Sequence, residues 1–210
     1  MPAPPSHLYR FTGPLVADSS VVINLNATRR AEAILETIPN RILVTEEVLS
    51  ELRSGQGKEH RDSDLLDELV ASRFIDAVRL GESGLDDFLD LVSGPSNETL
   101  GDGEAATIAM SLEAGGLALI DDRKALRICT ERFAGLLTSG TVDLLRHPEV
   151  VEALSDKELA DAVFAAVRDA RMHVPPHHGE WVIRLLGRER AQNCPSLARI
   201  LRSMAAPEAS

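Results

Sequence analysis

Short all-apolar runs alternate with amphipathic stretches through the first two-thirds of the chain. Leu15–Ala17 is apolar and stops at Asp18-Ser19-Ser20, after which Val21, Val22, Ile23 and Leu25 read as a buried helix. A second helical stretch through Ala31, Ile34, Leu35 and Ile38 ends at Pro39-Asn40. Ile42-Leu43-Val44 reads as the next buried strand, with Thr45 as the N-cap of a helix from Glu46 to Leu52 that breaks at Ser54-Gly55-Gln56-Gly57. Leu65, Leu66, Leu69 and Val70 predict an amphipathic helix, Phe74 to Leu80 a strand, and Leu85 to Val92 another helix. Gly94-Pro95-Ser96-Asn97 is a loop. A small-residue helix from Gly103 to Leu112 stops at Gly115-Gly116, and the apolar strand Leu117–Ile120 ends on Asp121-Asp122. A helix through Ala125, Leu126, Ile128 and Cys129 follows, then Leu136-Leu137-Thr138 as a last strand and a short helix from Gly140-Thr141 to Leu145.

Strands that are apolar throughout are covered on both faces. The order therefore predicts a three-layer α/β domain on a central, mainly parallel sheet over residues 12–147. After Pro148 the pattern is purely helical, which predicts a C-terminal helical extension over 148–205. Ser155 and Glu158 form a capping box there, with Leu154 and Leu159 as its hydrophobic staple. That helix is expected to run to Arg171 and break at Val174-Pro175-Pro176. Further helices are expected around Trp181–Leu186 and Leu197–Leu201, before a frayed AAPEAS end.

Composition narrows the function. The 210 residues are 44% hydrophobic and 26% charged, a globular balance, but only 3% aromatic. An RNA-binding sheet built on stacked aromatics is thereby disfavoured. The formal net charge is −11, so no global positive field recruits a polyanion. Residues 148–210 hold 8 basic and 9 acidic side chains against 14 and 24 in the first 147, which concentrates negative charge where the sheet is. Neither a signal peptide nor a membrane span is read in the sequence, and the protein is expected to be cytoplasmic. Cys129 and Cys194 lack metal-ligand spacing, and Cys129 lies in an apolar pattern as an inert thiol.

The candidate chemistry is carried by acids. Side chains just after the carboxyl ends of parallel strands face one crevice, and Asp18 and the pair Asp121-Asp122 occupy that location. If the two strands are neighbours, these acids meet, and facing carboxylates repel unless a cation neutralises them. Glu104, in the first turn of the helix opened by Gly101-Asp102-Gly103, and Glu51 lie where they could join the cluster. An all-oxygen set suits Mg²⁺ or Mn²⁺ over Zn²⁺. Each acid alone has a duller role: Asp18 as a helix cap, Asp121-Asp122 as a turn and cap, Asp102 or Glu104 answering a helix dipole, Glu51 as a surface charge. A rival metal site at His173, His177 and His178, with Glu180 nearby, would need neutral imidazoles converging from a loop.

The segments LVADSSVVINL, VTEEVLSEL, LGDGEAATIAMSLE, LALIDDRKALRIC and LLTSGTVDLL, in that order over residues 14–146, resemble the PIN domain family. The resemblance implies an Mg²⁺- or Mn²⁺-dependent ribonuclease on a parallel sheet. Many bacterial members are VapC-type toxins held by a small antitoxin, and many are homodimers. It also implies Asp18, Glu51, Glu104 and Asp122 as catalytic acids, with Asp18, Glu104, Asp122 and its neighbour Asp121 on the metal. Ser20, Asn24 and Arg123 match positions near the substrate. Asp102 is an additional acid, and the tail matches nothing in a minimal PIN toxin. RNA contacts are expected from Arg53, Lys58 and Arg61, from Arg123, Lys124 and Arg127, or from the tail arginines Arg184, Arg188, Arg190, Arg199 and Arg202. The alternative function is a non-catalytic PIN-like module acting through protein association; a third reading keeps the fold but cuts structured or damaged nucleic acid.

Overall fold

The computed structural model describes residues 6–55 and 58–205. The loop residues Gln56 and Gly57, the side chains of Lys58 and Arg199, and all but the first residue of the end expected to fray lie outside the described residues. In chain order the first half is β1 (Leu15–Ala17), α1 (Ser19–Ala27), α2 (Ala31–Thr37), β2 (Ile42–Thr45), α3 (Glu46–Ser54), α4 (Lys58–Ala71), β3 (Asp76–Val78) and α5 (Glu82–Val92). There follow α6 (Asp102–Glu113), β4 (Leu117–Leu119), α7 (Arg123–Arg132), β5 (Thr138–Ser139) and α8 (Thr141–Leu145). The helical end comprises α9 (Pro148–Ala153), α10 (Asp156–Asp169), α11 (Pro176–Leu186), α12 (Arg188–Gln192) and α13 (Ala198–Ala205). The sheet order is β3-β2-β1-β4-β5, and every described pairing is parallel.

Strand alternation sorts the core into two sides. Leu15 and Ala17 of β1, Ile42 and Val44 of β2, and Leu117 and Leu119 of β4 join one apolar cluster with Val21, Val22 and Leu25 of α1. The intervening residues face the other way: Val16 and Leu43 meet Met110 of α6, while Ala118 and Ile120 meet Ile108 of α6 and Ile128 of α7. Helices thus cover both faces, which is why the central strands are apolar at every position.

The helical end belongs to the first of these sides. Leu159, Val163, Ala166 and Val167 of α10 and Val182 and Leu186 of α11 share the cluster of Leu15 and Val22, so no break in the core falls at residue 147. The capping box is formed as expected: Ser155 Oγ accepts from the Glu158 N–H at 3.3 Å, and Glu158 Oε2 accepts from the Ser155 N–H at 3.2 Å. Thr45 caps α3 by accepting from the Val48 N–H.

Two local expectations shift, and three short elements were not foreseen. The last strand forms at Thr138–Ser139 instead of 136–138, because a turn from Phe133 to Leu136 takes up the preceding residues. Pro176 does not lie in a break but opens α11, a position where its missing N–H removes no helical bond. The short α9 and α12, as well as a 3-10 turn at His7–Arg10, have too few residues to show a period. Arg29, Arg73 and Arg171, just past the ends of α1, α4 and α10, have φ of 59°, 61° and 58°, where glycine or asparagine is the usual choice.

Candidate active site

The site lies where the chain reverses direction across the sheet. From β1 it winds outward to β2 and β3, then returns to place β4 on the other side of β1. Ala17 stands opposite Leu119, and the Asp18 N–H donates to the Leu119 carbonyl at 3.1 Å. The carboxyl ends of β1 and β4 therefore meet at the switch point where open α/β sheets bind ligands.

Strand parity then separates the two neighbouring aspartates. Asp122 continues the side of Ala118 and Ile120, toward α6 and α7, while Asp121 continues the side of Leu117 and Leu119, toward α1 and α8. Asp121 is accordingly enclosed by its own partners. Its Oδ1 accepts from the Thr141 N–H at 2.9 Å, and its Oδ2 accepts from Asn24 Nδ2 at 2.7 Å and from the Thr141 hydroxyl. Burial raises the Asp121 pKa, opposed by these hydrogen bonds and the nearby charge of His173.

On the other side Glu104 feels the charges of Asp18, Asp122 and Glu51, and Asp18 that of Glu51. Asp18 is 3% exposed and caps α1, its Oδ2 accepting from the Ser20 N–H at 3.4 Å and the Ser20 hydroxyl at 2.8 Å. Its Oδ1 is buried with no partner. Burial, with a smaller contribution from the charge of Glu51, raises the Asp18 pKa to about 6. Glu104 is raised to about 7 by burial first, then by the charges of Asp18, Asp122 and Glu51, against a hydrogen bond from the Gly101 N–H. Glu51 accepts from the Ser19 hydroxyl at 2.5 Å and lies against Gly103, where a Cβ would stand 2.2 Å from Glu51 Oε2 and displace that carboxylate. Asp122 caps α7, its Oδ1 accepting from the Lys124 and Ala125 N–H groups at 2.7 and 2.9 Å.

The structure thus brings Asp18, Glu51, Glu104 and Asp122 together and sets Asp121 on the opposite face. The duller roles foreseen for Asp18 and Asp122 are real, and each uses one carboxylate oxygen. Ser20 supports Asp18 directly, Asn24 is spent on Asp121 and Thr141, and Arg123 is exposed at the start of α7. Asp102 is exposed and lines an acidic groove with Glu46, Glu47, Ser50, Glu51 and Ser54. Sequence reasoning did not single out Ser19, Gly103 or Thr141 as parts of the site. Gly103 carries the one available signal, a glycine between two acids at a helix start.

Among the described residues no group of three or more His, Cys, Asp or Glu side chains is arranged to hold a metal ion. The donors nonetheless fit a divalent ion, being all oxygen, with an unpartnered buried atom on Asp18. At the rival histidine cluster, His178 is buried between Arg146 and Asp143 and packs its ring at a tilt against His177. Cys129 is buried, its thiol pushed up to about 11, in keeping with an inert role.

A parallel α/β sheet with acids at its switch point defines an open α/β fold with a candidate ligand site at the carboxyl ends of its strands. The particular family is the PIN domain, a nuclease-type fold: its model matches residues 14–188, through the end of α11, and the chain belongs to it. Nucleases of this kind generally use divalent metal ions. Among curated proteins none matches the chain. No helix among the described residues is long and apolar enough to cross a membrane.

Proposed function

We propose that the protein is a metal-dependent endoribonuclease, with Mg²⁺ or Mn²⁺ held by Asp18, Glu104 and Asp122 and with Glu51 as the fourth acid. The observation that carries this reading is the Asp18 Oδ1 atom, an acceptor sealed from water without a donor, beside Glu104, which like Asp18 holds its proton toward neutral pH. A buried acceptor left without a partner is unfavourable by about 1–3 kcal/mol, and a cation removes that penalty. When bound, a divalent ion supplies an activated water and neutralises charge on a phosphodiester.

The chain's own groups do the rest. The Ser20 hydroxyl and N–H hold Asp18 Oδ2, leaving Oδ1 free, while the Ser19 hydroxyl fixes Glu51 against Gly103. The N-terminus of α7 holds one oxygen of Asp122. Arg123, exposed beside it, is placed to meet a phosphate at the rim of an otherwise acidic crevice. Asp121 supports the crevice from behind, through Thr141 and Asn24, instead of joining the metal set.

Cleavage of single-stranded RNA with Mn²⁺ or Mg²⁺ tests this, comparing wild type with Asp18→Asn and Glu104→Gln. Metal-dependent cutting by wild type alone is expected. Equal cutting by all three would assign the activity to a contaminant. No cutting by wild type with either ion would favour the association module.

A further inference from the structure

The helical end reaches the carboxylate crevice through one buried side chain. His178 of α11 is 1% exposed, and its two ring nitrogens face the two ends of α8. Nδ1 lies 2.8 Å from Arg146 Nη1 at the C-cap, and Nε2 lies 3.1 Å from Asp143 Oδ1 in the first turn. A guanidinium only donates, so Nδ1 accepts and the ring proton of the neutral imidazole sits on Nε2, facing Asp143. The Nε2–H points off the line to that oxygen, so the contact is electrostatic more than a straight hydrogen bond. Trp181, one turn further along α11, lies under Arg146, the guanidinium carbon 5.3 Å from the ring centroid.

Beyond α8 the contacts continue to the crevice. Asp143 Oδ2 accepts from the Gly140 N–H at 3.2 Å, fixing the turn that presents Thr141. Thr141 binds Asp121 through both its N–H and its hydroxyl, and Asn24 ties the same carboxylate to α1. The elements so joined, the end of β4 and α1, are the ones that carry Asp122 and Asp18. We propose that His178 is a positioning residue: it clamps α8, and through Thr141, Asp121 and Asn24 it sets the spacing of the acids across the switch point. This rests on the metal-binding reading above. It gives the helical end a role at the site although none of the four clustered acids belongs to it.

The test compares full-length His178→Leu, which keeps bulk but makes no polar contact, with His178→Gln, whose amide can accept from Arg146 and donate toward Asp143. Leu186→Ala, a buried α11 residue outside the relay, controls for lost stability. Two readouts are taken: Mn²⁺ affinity by calorimetry and hydrogen exchange of the Thr141 amide in metal-free protein. Loss of outer partners weakens metal sites by about 10–100-fold. His178→Leu is expected at the lower end, about tenfold, with faster Thr141 exchange; His178→Gln recovers part of both, and Leu186→Ala retains both. A His178→Leu protein matching Leu186→Ala in both readouts overturns the proposal. Absence of Mn²⁺ binding by wild type would overturn the metal reading and the placement of metal ligands by His178, while Thr141 exchange would still decide whether the clamp on α8 exists.

Discussion

Two aspartates that are neighbours in sequence have opposite fates. Asp121 is enclosed by Thr141 and Asn24, with hydrogen bonds to both oxygens. Across the end of β4, Asp18, Glu51, Glu104 and Asp122 share a crevice in which Asp18 keeps an oxygen without a donor. One face of the sheet's edge has satisfied its acid with protein groups, and the other has not. Hydrogen bonds to both oxygens offset part of the cost of burying a carboxylate, whereas an oxygen buried without a partner opposes folding until something binds it.

The largest effect expected from this contrast is at Asp18. Asp18→Asn should lower metal-dependent cleavage by at least about 100-fold, the scale set by loss of a reacting carboxyl group. The same change should stabilise metal-free protein at pH 8. A pKa raised from 3.8 to about 6 corresponds to a penalty of about 3 kcal/mol on the ionised form, which the amide does not pay. Denaturant melts of both proteins with a chelator check this, and a less stable Asp18→Asn protein would break the contrast.

Asp121→Asn should stabilise metal-free protein less than Asp18→Asn does, because burial disfavours both ionised forms but the amide at 121 gives up acceptors that serve Thr141 and Asn24, a loss of about 1–3 kcal/mol. Mn²⁺ binding about tenfold weaker is expected. A gain equal to that of Asp18→Asn would show that the hydrogen bonds around Asp121 do not hold the turn.

Stability against pH sharpens the comparison further. Asp18 and Glu104 have folded values of about 6 and about 7 against 3.8 and 4.5 unfolded. Between these values the folded chain binds more protons than the unfolded one, so metal-free stability falls as pH rises from about 4 to about 7 and levels off above. Saturating Mn²⁺ should flatten that slope and release protons on binding, which calorimetry in buffers of different ionisation enthalpy reads directly. A metal-free profile that rises with pH over this window would contradict the assignment.

The smallest effect belongs to Arg123. As an exposed rim charge, its replacement by Ala should raise KM for RNA about threefold, more at low salt, without changing Mn²⁺ affinity. An unchanged KM at low salt would remove it from the substrate path.

Much of this was legible in the sequence because strands covered on both faces leave continuous apolar runs. β1, β2 and β4 were readable for that reason, and so were the acids ending β1 and β4. The separation of Asp121 from Asp122 was not legible, since it depends on the parity of β4, and a run in which every residue is buried carries no alternation from which to read parity. β5 was read too early in the chain, at 136–138, because it pairs through only two residues and leaves little pattern to fix its bounds. His178 stood out only as a member of a histidine cluster. Its partners Asp143 and Arg146 lie 35 and 32 residues earlier, and no local spacing joins them.

The 3-10 turn at His7–Arg10 carries one further consequence. It buries Leu8 in the main cluster and rests beside β5, where Ser6 and Ser139 share a hydroxyl contact at 2.8 Å. β5 is the border of the sheet, and a bared border offers unpaired backbone groups to other molecules. A protein shortened to begin at residue 12 should therefore self-associate on storage, and light scattering would reveal it before any change in activity.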